Sequence, residues 1–361
     1  MYVLYPLIMK TKYTSIIDIA KQLNISKSTV SRALTGHPNV HAQTRKAVLD
    51  LAQQMDYQRN SLALGLTRHH TNTIGVLVPE FMSTYFPSVI LGAQEVFQAA
   101  GYQVVICHNN ESYDMEVANV KLLLSYRVDG IIASHTKETR NFDHFRLVQR
   151  HGIPLVFFNR VSEELNVPNV VVDDYSAALE AVEHLIKTGR RRIAHLAGPD
   201  SLINSRLRRQ GYLDALKKHK IPIDPGLMLS YDLTIEKVRI YMKHFLELPA
   251  PPDALFAIND PTAIAAMEVV KEKGWSIPED IAIVGFSNDF SAQLVFPRLT
   301  TVSQPTLDIG RESARLLLQE LQSGAKPDYT NRKAPCVQLK TKLIIRDSSV
   351  RKPVVKKKGK K

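Results

Sequence analysis

Short apolar runs alternate with amphipathic stretches of helical periodicity from Thr73 to about residue 322, and this alternation is the strongest constraint on the fold. Runs that are apolar throughout are typical of strands buried on both faces of a parallel sheet. Repeated strand–helix alternation predicts a doubly wound α/β fold, and roughly 270 residues is long for one such core, so two lobes are expected. The strand-like runs are 74–78, 104–106, 130–132, 155–158, 170–172, 193–196, 254–256 and 281–284.

The positive charge of the chain is concentrated at its two ends. The net charge is +12, yet residues 73–349 carry 31 basic and 32 acidic side chains. Residues 10–72 hold nine Lys or Arg against three acids, and residues 350–361 hold seven basic residues and no acid. A nearly neutral body between a basic head and a basic tail indicates a polyanionic partner, most simply nucleic acid.

Residues 14–56 are polar, helical in pattern and almost free of glycine, and they predict three short helices. Asn24 suits the left-handed turn after the first helix, and Ser26 suits the N-cap of the second. The second helix leaves basic and hydroxyl side chains on its outer face, as a helix-turn-helix DNA reader requires. Lys27 and Ser28 are placed for base edges, Thr29 and Ser31 for phosphates, and Arg32 for either. A structural helical bundle with a solvated basic face is the alternative.

Neither enzymatic chemistry nor a metal site is indicated by any motif. Nucleotide-binding glycine loops, a Gly-x-Ser-x-Gly elbow and a His-Glu-x-x-His pair are all absent from the sequence. The two cysteines, Cys107 and Cys336, lie far apart without metal-ligand spacing, and a pair of buried cytosolic thiols is favoured over a disulfide. The N-terminus is a poor signal peptide and no run is long enough to span a membrane. We therefore expect a cytoplasmic non-enzyme without cofactor.

The head contains Ile17-Asp-Ile-Ala-Lys-Gln-Leu-Asn-Ile-Ser-Lys-Ser-Thr-Val-Ser-Arg-Ala-Leu34, and this string resembles the lactose-repressor (LacI/GalR) family of bacterial transcription regulators. Thr73-Ile-Gly-Val, Val128-Asp-Gly-Ile-Ile and Gly285-Phe-Ser resemble core segments of the same family. The resemblance implies a helix-turn-helix head on a periplasmic-binding-protein-like core of two lobes. It implies a homodimer that binds double-stranded, two-fold symmetric operator DNA and responds to a small-molecule effector.

The resemblance also implies a hinge helix that inserts into DNA. Asn60 and Ala63 occupy hinge positions, Ala63 facing the partner hinge, and Leu66 aligns with a leucine that wedges into the minor groove. Gly65 is a departure that weakens such a helix by ~1 kcal/mol relative to alanine. His41 is another departure, because relatives usually have a capping serine there.

The domain organisation follows from the pattern and the resemblance together. We expect a disordered arm, a DNA-binding head, a hinge with linker, a two-lobed ligand-binding and dimerisation core, and a basic disordered tail. Three crossovers are expected near Val172–Tyr175, Pro297–Val302 and Asn331–Val337. The segments are 1–13, 14–59, 60–72, 73–346 and 347–361, with an N-lobe of about 73–172 plus 302–332 and a C-lobe of about 173–298 plus 336–346.

The effector is expected in the cleft between the lobes, at the carboxyl ends of the strands. Arg208 and Asp260 match family positions that hold ligand, the first as a forked donor and the second as an acceptor. A solvated helix charge and an ordinary helix N-cap are the alternatives. Tyr85 and Phe86 are expected to stack on a ring. The weaker candidates are Asn159, Arg160, Asp173, Asn204, Leu233 and Asp289.

The function predicted from the sequence is a ligand-responsive transcriptional regulator, most simply a repressor that senses a carbohydrate. A nucleobase or nucleoside is the alternative effector. A solute-binding protein of a transporter shares the core, but it requires a signal peptide and no DNA-binding head. A doubly wound enzyme with an accessory head requires a nucleophile, a base and a cofactor loop, which the sequence does not show.

Overall fold

The computed structural model describes residues 14–58, 70–323 and 333–350. The chain divides into two compact units, the head Met1–His69 and the body His70–Lys361. The predicted N-terminal arm, the hinge positions Asn60, Ala63 and Leu66, and residues 351–361 of the predicted tail lie outside the described residues.

Residues 14–58 of the head contain three helices, as the sequence predicts. They pack around a small core that includes the buried residues Ile19, Val30 and Val48. Asn24 adopts a left-handed conformation with φ of 51°, and this places α2 after a tight turn. His41 stands at the N-cap of α3 and its side chain makes no capping hydrogen bond. The helices are α1 (Ile16–Gln22), α2 (Lys27–Leu34) and α3 (Ala42–Gln54).

The body consists of two lobes, and in the ranges 70–323 and 333–350 each lobe has a six-stranded sheet with helices on both faces. All eight predicted strand runs coincide with strands, and the amphipathic stretches that alternate with them contain helices. The first sheet has the order β11-β5-β4-β3-β1-β2 and is wholly parallel. The second has the order β12-β10-β9-β8-β6-β7, with β12 antiparallel to β10. The strands are β1 (Thr73–Val78), β2 (Gln103–His108), β3 (Gly130–Ala133), β4 (Leu155–Phe158), β5 (Asn169–Val172), β6 (Ile193–Ala197), β7 (Met228–Ser230), β8 (Ala254–Ala257), β9 (Ala282–Ser287), β10 (Thr300–Ser303), β11 (Cys336–Leu339) and β12 (Lys342–Ile344).

The helices of each lobe form two layers, one on either face of the sheet. In the first lobe α4 and α11 pack on one face and α5 and α6 on the other. In the second lobe α9 and α10 cover one face, and α7 and α8 cover the other. The helices are α4 (Tyr85–Ala99), α5 (Tyr113–Ser125), α6 (Asp143–Arg150), α7 (Asp174–Lys187), α8 (Ile203–Lys218), α9 (Ile235–Glu247), α10 (Asp260–Glu272) and α11 (Thr306–Gln322).

Two glycines bring α4 and α11 into close contact and thereby fix the start of α4 at the cleft. A Cβ on Gly92 would lie 2.0 Å from the carbonyl oxygen of Leu307, and one on Gly310 would lie 2.0 Å from that of Val89. Only glycine permits backbones to approach this closely. The N-terminus of α4 carries Tyr85 and Phe86, so this packing positions two of the predicted ligand-binding side chains.

The predicted lobe boundaries are wrong at two of the three crossovers. The first crossover joins β5 to α7, as expected, but the second follows β10 and the third joins β11 to β12. Thr300–Ser303 still pairs with β9 in the second sheet, and Cys336–Leu339 pairs with β5 in the first sheet. Short strands of similar composition fit either sheet edge, so only the pairing itself decides which lobe they join.

The predicted tail begins too early. Ser348 and Ser349 are fully buried, and their hydroxyls bond polar groups beside the strands β9 and β10 of the second sheet. The Ser348 hydroxyl accepts from the Thr300 amide at 2.8 Å and donates to the Ile283 carbonyl at 2.6 Å. Ser349 Oγ lies 2.8 Å from His184 Nε2. The packed body therefore extends at least to Ser349.

Both cysteines are free, and the prediction that both are buried is wrong for one of them. Cys107 is buried in β2, whereas Cys336 is exposed in β11. These strands form opposite edges of the first sheet, so the two thiols cannot pair. Within the described ranges no helix is long and apolar enough to cross a membrane, and no group of three or more His, Cys, Asp or Glu is placed to hold a metal ion.

Candidate functional site

The outer face of α2 in the head has the character of a nucleic-acid reader. Ser26 is the N-cap, and its side chain accepts a hydrogen bond from the Thr29 amide at 3.1 Å. Lys27 lies at the positive end of the helix dipole, where it adds to an electropositive helix start. Of the predicted DNA-contacting residues of α2, Lys27, Ser28, Ser31 and Arg32 are exposed and Thr29 is half-buried.

Two of the predicted hydroxyls also take part in the cap of α2. Ser26 Oγ lies 2.7 Å from Ser28 Oγ and 2.8 Å from Thr29 Oγ1. A hydroxyl has one donor and two acceptor lone pairs, so both side chains retain capacity for a phosphate or a base. The cap thus orders these hydroxyls on the exposed first turn of the helix.

In the body, the carboxyl ends of the strands in both lobes face a cleft of about 440 Å³. Such a volume suits a monosaccharide- to nucleoside-sized molecule. Eight of the ten predicted ligand-binding residues line it: Tyr85, Phe86, Asn159, Arg160, Asn204, Arg208, Leu233 and Asp289. Asp260 does not, and neither does Asp173, which caps α7 and accepts from the Ser176 amide at 2.9 Å. Further lining residues that sequence reasoning missed are Glu80, Asn110, Glu111, Lys137, Ser287 and Gln304.

Hydrogen bonds connect the two lobes around the cleft. Asp289, after β9, accepts from the amide and the hydroxyl of Thr84 at 2.7 and 2.8 Å, at the start of α4 in the other lobe. Lys137 Nζ donates to the Asp232 carbonyl at 2.6 Å, and Asn204 Nδ2 lies 3.3 Å from Asn159 Oδ1. The lobes are therefore held in a defined arrangement that closes part of the cleft mouth.

Arg208, on α8, is a buried guanidinium held in place by an ion pair. Its Nε and Nη2 atoms lie 2.8 and 2.7 Å from Asp174 Oδ1, and its Nη1 donates to the Ile258 carbonyl at 2.7 Å. Its Cζ lies 3.6 Å from the ring centroid of Phe286. Burial raises the pKa of Asp174, and the charge and hydrogen bonds of Arg208 oppose that rise. Of the five guanidinium N–H groups, two remain for a ligand.

Arg160, after β4, is also paired. Its two terminal nitrogens each donate to Glu111 at 2.8 Å, a bidentate arrangement. Although burial opposes it, the Arg160 charge lowers the pKa of Glu111, so this carboxylate is ionised at neutral pH. Glu111 has a left-handed backbone with φ of 56°. Sequence reasoning missed it because the Asn-Asn-Glu stretch after β2 looks like an ordinary turn.

Tyr85 and Phe86 form an aromatic wall rather than an open stacking platform. Both are buried, and their rings make an edge contact at 5.1 Å between centroids. The Tyr85 hydroxyl has no hydrogen-bond partner among the described residues. Burial raises the pKa of Tyr85 far above its ordinary value, so the phenol stays neutral. It is therefore a neutral, unpartnered hydroxyl buried in the wall of the cleft.

The expectation that Asp260 contacts ligand is wrong. This first residue of α10 is fully buried, and its carboxylate accepts from Thr301 Oγ1 at 2.6 Å and from the Asp289 amide at 2.7 Å. The alternative N-cap role belongs to Asn259, which accepts from the Thr262 amide at 2.9 Å. Asp260 thus lies behind the cleft wall and holds Asp289 in place. Burial raises the pKa of Asp260 to about 7.

Sequence models of two families match the chain. The model of bacterial regulatory proteins of the lacI family matches residues 15–60. The model of periplasmic binding proteins and the sugar-binding domain of the LacI family matches residues 71–340, most of the chain.

Individual proteins match along nearly their whole length. The HTH-type transcriptional repressor CytR of Escherichia coli (strain K12) is 33% identical over 332 residues, which cover 92% of this chain and 95% of the relative. The ribose operon repressor of Halalkalibacterium halodurans is 31% identical, with 93% and 97% covered. Among solved structures, a transcriptional regulator CelR–cellobiose complex has a TM-score of 0.70 at 28% identity, covering 93% of this chain and 99% of that one.

Proposed function

This chain belongs to the LacI family of bacterial regulatory proteins, and on that premise we propose that it is a cytoplasmic repressor that binds a two-fold symmetric operator as a homodimer. We further propose that a small carbohydrate held in the cleft between its lobes controls that binding. The family consists of transcriptional regulators, not enzymes. A transporter's solute-binding protein is disfavoured, because residues 15–60 match a DNA-binding head.

One observation carries the sensing part of the proposal: polar residues from the strand ends of both lobes converge on a single cleft. A ligand can change DNA affinity only by binding two arrangements of the lobes with different affinity. Two hydrogen bonds join the lobes at the cleft, from the Thr84 amide to Asp289 and from Lys137 to the Asp232 carbonyl. A ligand that binds beside these bonds stabilises one arrangement of the two lobes relative to the other. The CelR relative was solved with cellobiose, which supports a neutral sugar as effector.

The function is tested with purified full-length protein and DNA from the promoter next to its gene. We expect a specific mobility shift that changes when a binding sugar such as ribose or cellobiose is added. The sugars are screened beforehand by the change they cause in the melting temperature of the protein. A protein that shifts operator and control DNA equally would contradict the proposal.

Lys27 is expected to contribute to operator selection. Its side chain is exposed on the first turn of α2, which enters the major groove in the proposed complex. A lysine that contacts a guanine edge contributes ~1–3 kcal/mol of discrimination at that base pair. We therefore expect Lys27→Ala to reduce the ratio of specific to non-specific affinity by about tenfold or more, measured by fluorescence anisotropy on operator variants.

Lys21→Ala is the matched control, because Lys21 is an exposed lysine of α1 and its loss removes the same charge. Charge loss alone weakens binding to every sequence about equally. Equal effects of the two substitutions on every operator variant would show that α2 is not docked as proposed.

Leu66 is proposed to wedge between base pairs at the centre of the operator. Insertion of an apolar side chain kinks DNA and lets it contact more protein surface. Leu66→Ala is expected to weaken operator binding about tenfold and to reduce DNA bending, measured by circular-permutation mobility shifts, while effector binding to the body is unchanged. Leu64→Ala is the control, since residues two apart on a helix do not share a face. Undiminished bending by Leu66→Ala would refute the wedge.

A further inference from the structure

We propose that the cleft selects an uncharged polyhydroxylated effector and rejects the same molecule bearing a phosphate or a carboxylate. This inference rests on the proposed function, because it concerns the ligand of the same cleft. Both arginines of the cleft are paired with carboxylates of the protein, and the buried polar atoms of the lining that lack partners are uncharged.

Acidic side chains outnumber basic ones among the described residues that line the cleft. The carboxylates are Glu80, Glu111, Glu236 and Asp289. The cations are Lys137, Arg160 and Arg208. A weakly negative lining opposes an anion, and in a partly desolvated cleft this repulsion is stronger than in water.

One bidentate edge of the Arg160 guanidinium, formed by its two terminal nitrogens, is already occupied by a carboxylate. Glu111 takes both of its terminal nitrogens, and the His135 carbonyl lies 3.3 Å from Nη1. The side chains of Arg160 and Glu111 are only 7% and 18% exposed, so water screens the pair little. The Nε–H and one Nη2 proton are left for a ligand, but the pair with Glu111 carries no net charge, so a phosphate gains little from the charge of Arg160.

The charge of Arg208 is neutralised by a carboxylate that does not line the cleft. Asp174 lies against two of its nitrogens, and both side chains are 5% exposed. The remaining N–H groups can donate to ligand hydroxyls, but the pair as a whole carries no net charge. Lys137 donates one ammonium proton to the Asp232 carbonyl and retains two, and the same lining contains the carboxylates of Glu80 and Glu236.

The start of α4 is also filled by the protein's own carboxylate. A helix N-terminus is a ready binding site for a phosphate, because its N–H groups and dipole favour negative charge. Here Asp289 reaches across from the second lobe and accepts from the Thr84 amide and hydroxyl. The position that an anionic ligand would take is therefore occupied.

The polar atoms that do lack partners are neutral and suit hydroxyl groups. Tyr85 and Gln304 line the cleft and are 7% and 6% exposed. The Tyr85 hydroxyl and Gln304 Oε1 have no hydrogen-bond partner among the described residues, while Gln304 Nε2 donates to Ser287 Oγ at 3.0 Å. Buried polar atoms are costly unless paired. Gln304 Oε1 needs a donor, which a hydroxyl supplies and an ionised phosphate or carboxylate does not.

The first test compares neutral and anionic members of matched pairs, using the purified full-length protein and isothermal titration calorimetry. The pairs are ribose and ribose 5-phosphate, galactose and galacturonate, and cytidine and cytidine 5′-monophosphate. We expect the anionic member of any binding pair to bind at least tenfold more weakly than the neutral one. An anionic member that binds as tightly as its neutral partner, or more tightly, overturns the inference.

The second test uses inorganic phosphate as the probe and does not require the effector to be known. Glu111→Gln releases Arg160, so we expect phosphate to raise the melting temperature of this variant more than sodium chloride of equal ionic strength does. The excess is expected to vanish in Glu111→Gln with Arg160→Met, and to be absent in the parent protein. Because the basic head is common to all three proteins, its binding of phosphate cancels in the comparison.

A phosphate-specific rise in the melting temperature of the parent protein that depends on Arg160 would overturn the inference. So would the absence of such a rise in Glu111→Gln, if circular dichroism shows that this variant is folded. Operator binding is measured in parallel by mobility shift. A protein that binds operator and responds to an anion contradicts this inference alone, whereas one that binds no operator contradicts the proposed function.

Discussion

Arg208→Ala is expected to lower the unfolding free energy of the body by about 3–5 kcal/mol, because the substitution leaves the Asp174 carboxylate buried without its partner. The carboxylate cannot recover its hydration, since its side chain is 5% exposed. The Ile258 carbonyl and the face of Phe286 lose their contacts with the guanidinium as well. Urea unfolding followed by circular dichroism at pH 7 measures the change.

Arg209→Ala provides the matched control for this prediction. Arg209 is the next residue of α8 and pairs with Asp200 at 2.6 Å, but the two side chains are 27% and 62% exposed. Exposed ion pairs contribute about 0–1 kcal/mol, so its loss is expected to have little effect on unfolding. Equal destabilisation by the two substitutions would contradict the assignment of Arg208 and Asp174 as a buried pair.

A second variant separates the charge effect from the loss of packing. Arg208→Met combined with Asp174→Asn removes both charges and keeps most of the side-chain volume. Replacement of both members of a buried ion pair by neutral groups is often far less destabilising than removal of one. The double variant is therefore expected to be more stable than Arg208→Ala, and its effector affinity can be measured on folded protein.

Local pattern predicted the elements of this fold well but not the way they assemble at the lobe boundary. The run Ile281–Val284 and its equivalents were recognisable because a strand buried on both faces must be apolar throughout. The strand Cys336–Leu339 was assigned to the wrong lobe, because its choice between two sheet edges depends on a partner, β5, that lies 164 or more positions away in the chain. Sequence periodicity carries no information about such a partner.

In the candidate site, too, the sequence predicted which residues lie near the cleft but not their contacts with distant residues. Family resemblance predicted that Arg208 lies at the cleft, yet not that Asp174, 34 positions earlier, neutralises it. Glu111 was missed because its importance comes from Arg160, 49 positions later. Asp260 was misassigned because its position at the start of α10 is right for a cleft residue, while its side chain turns toward Thr301. Side-chain direction and charge pairing are tertiary properties, and they decide what a cleft can bind.

Asp260→Asn is expected to flatten the pH dependence of stability between about pH 4 and pH 7. Burial raises the pKa of this carboxyl to about 7 in the folded protein, against an ordinary value of 3.8 in the unfolded chain. Between these values the folded state binds a proton that the unfolded state has lost, so stability falls as pH rises. A shift of about three units corresponds to a loss of at most about 4 kcal/mol.

The hydrogen bonds explain why asparagine can replace the protonated acid. Asp260 accepts from the Asp289 amide through Oδ2, and its Oδ1 lies 2.6 Å from Thr301 Oγ1, a hydroxyl that can rotate to accept a hydrogen bond when Asp260 is protonated. Asparagine has the same shape, with a carbonyl for the amide of Asp289 and an NH₂ group for Thr301. Urea unfolding of the parent and the variant at pH 5, 6, 7 and 8 gives the difference, and contributions from histidines cancel because both proteins contain them.

Asp232→Asn is the control, since Lys237 lowers the pKa of Asp232 to about 2 and this carboxylate is ionised in both states across that pH range. Its removal is expected to leave the slope between pH 5 and 8 unchanged, whereas Asp260→Asn reduces it. Parallel pH profiles for the parent and Asp260→Asn would show that Asp260 does not hold a proton near neutrality.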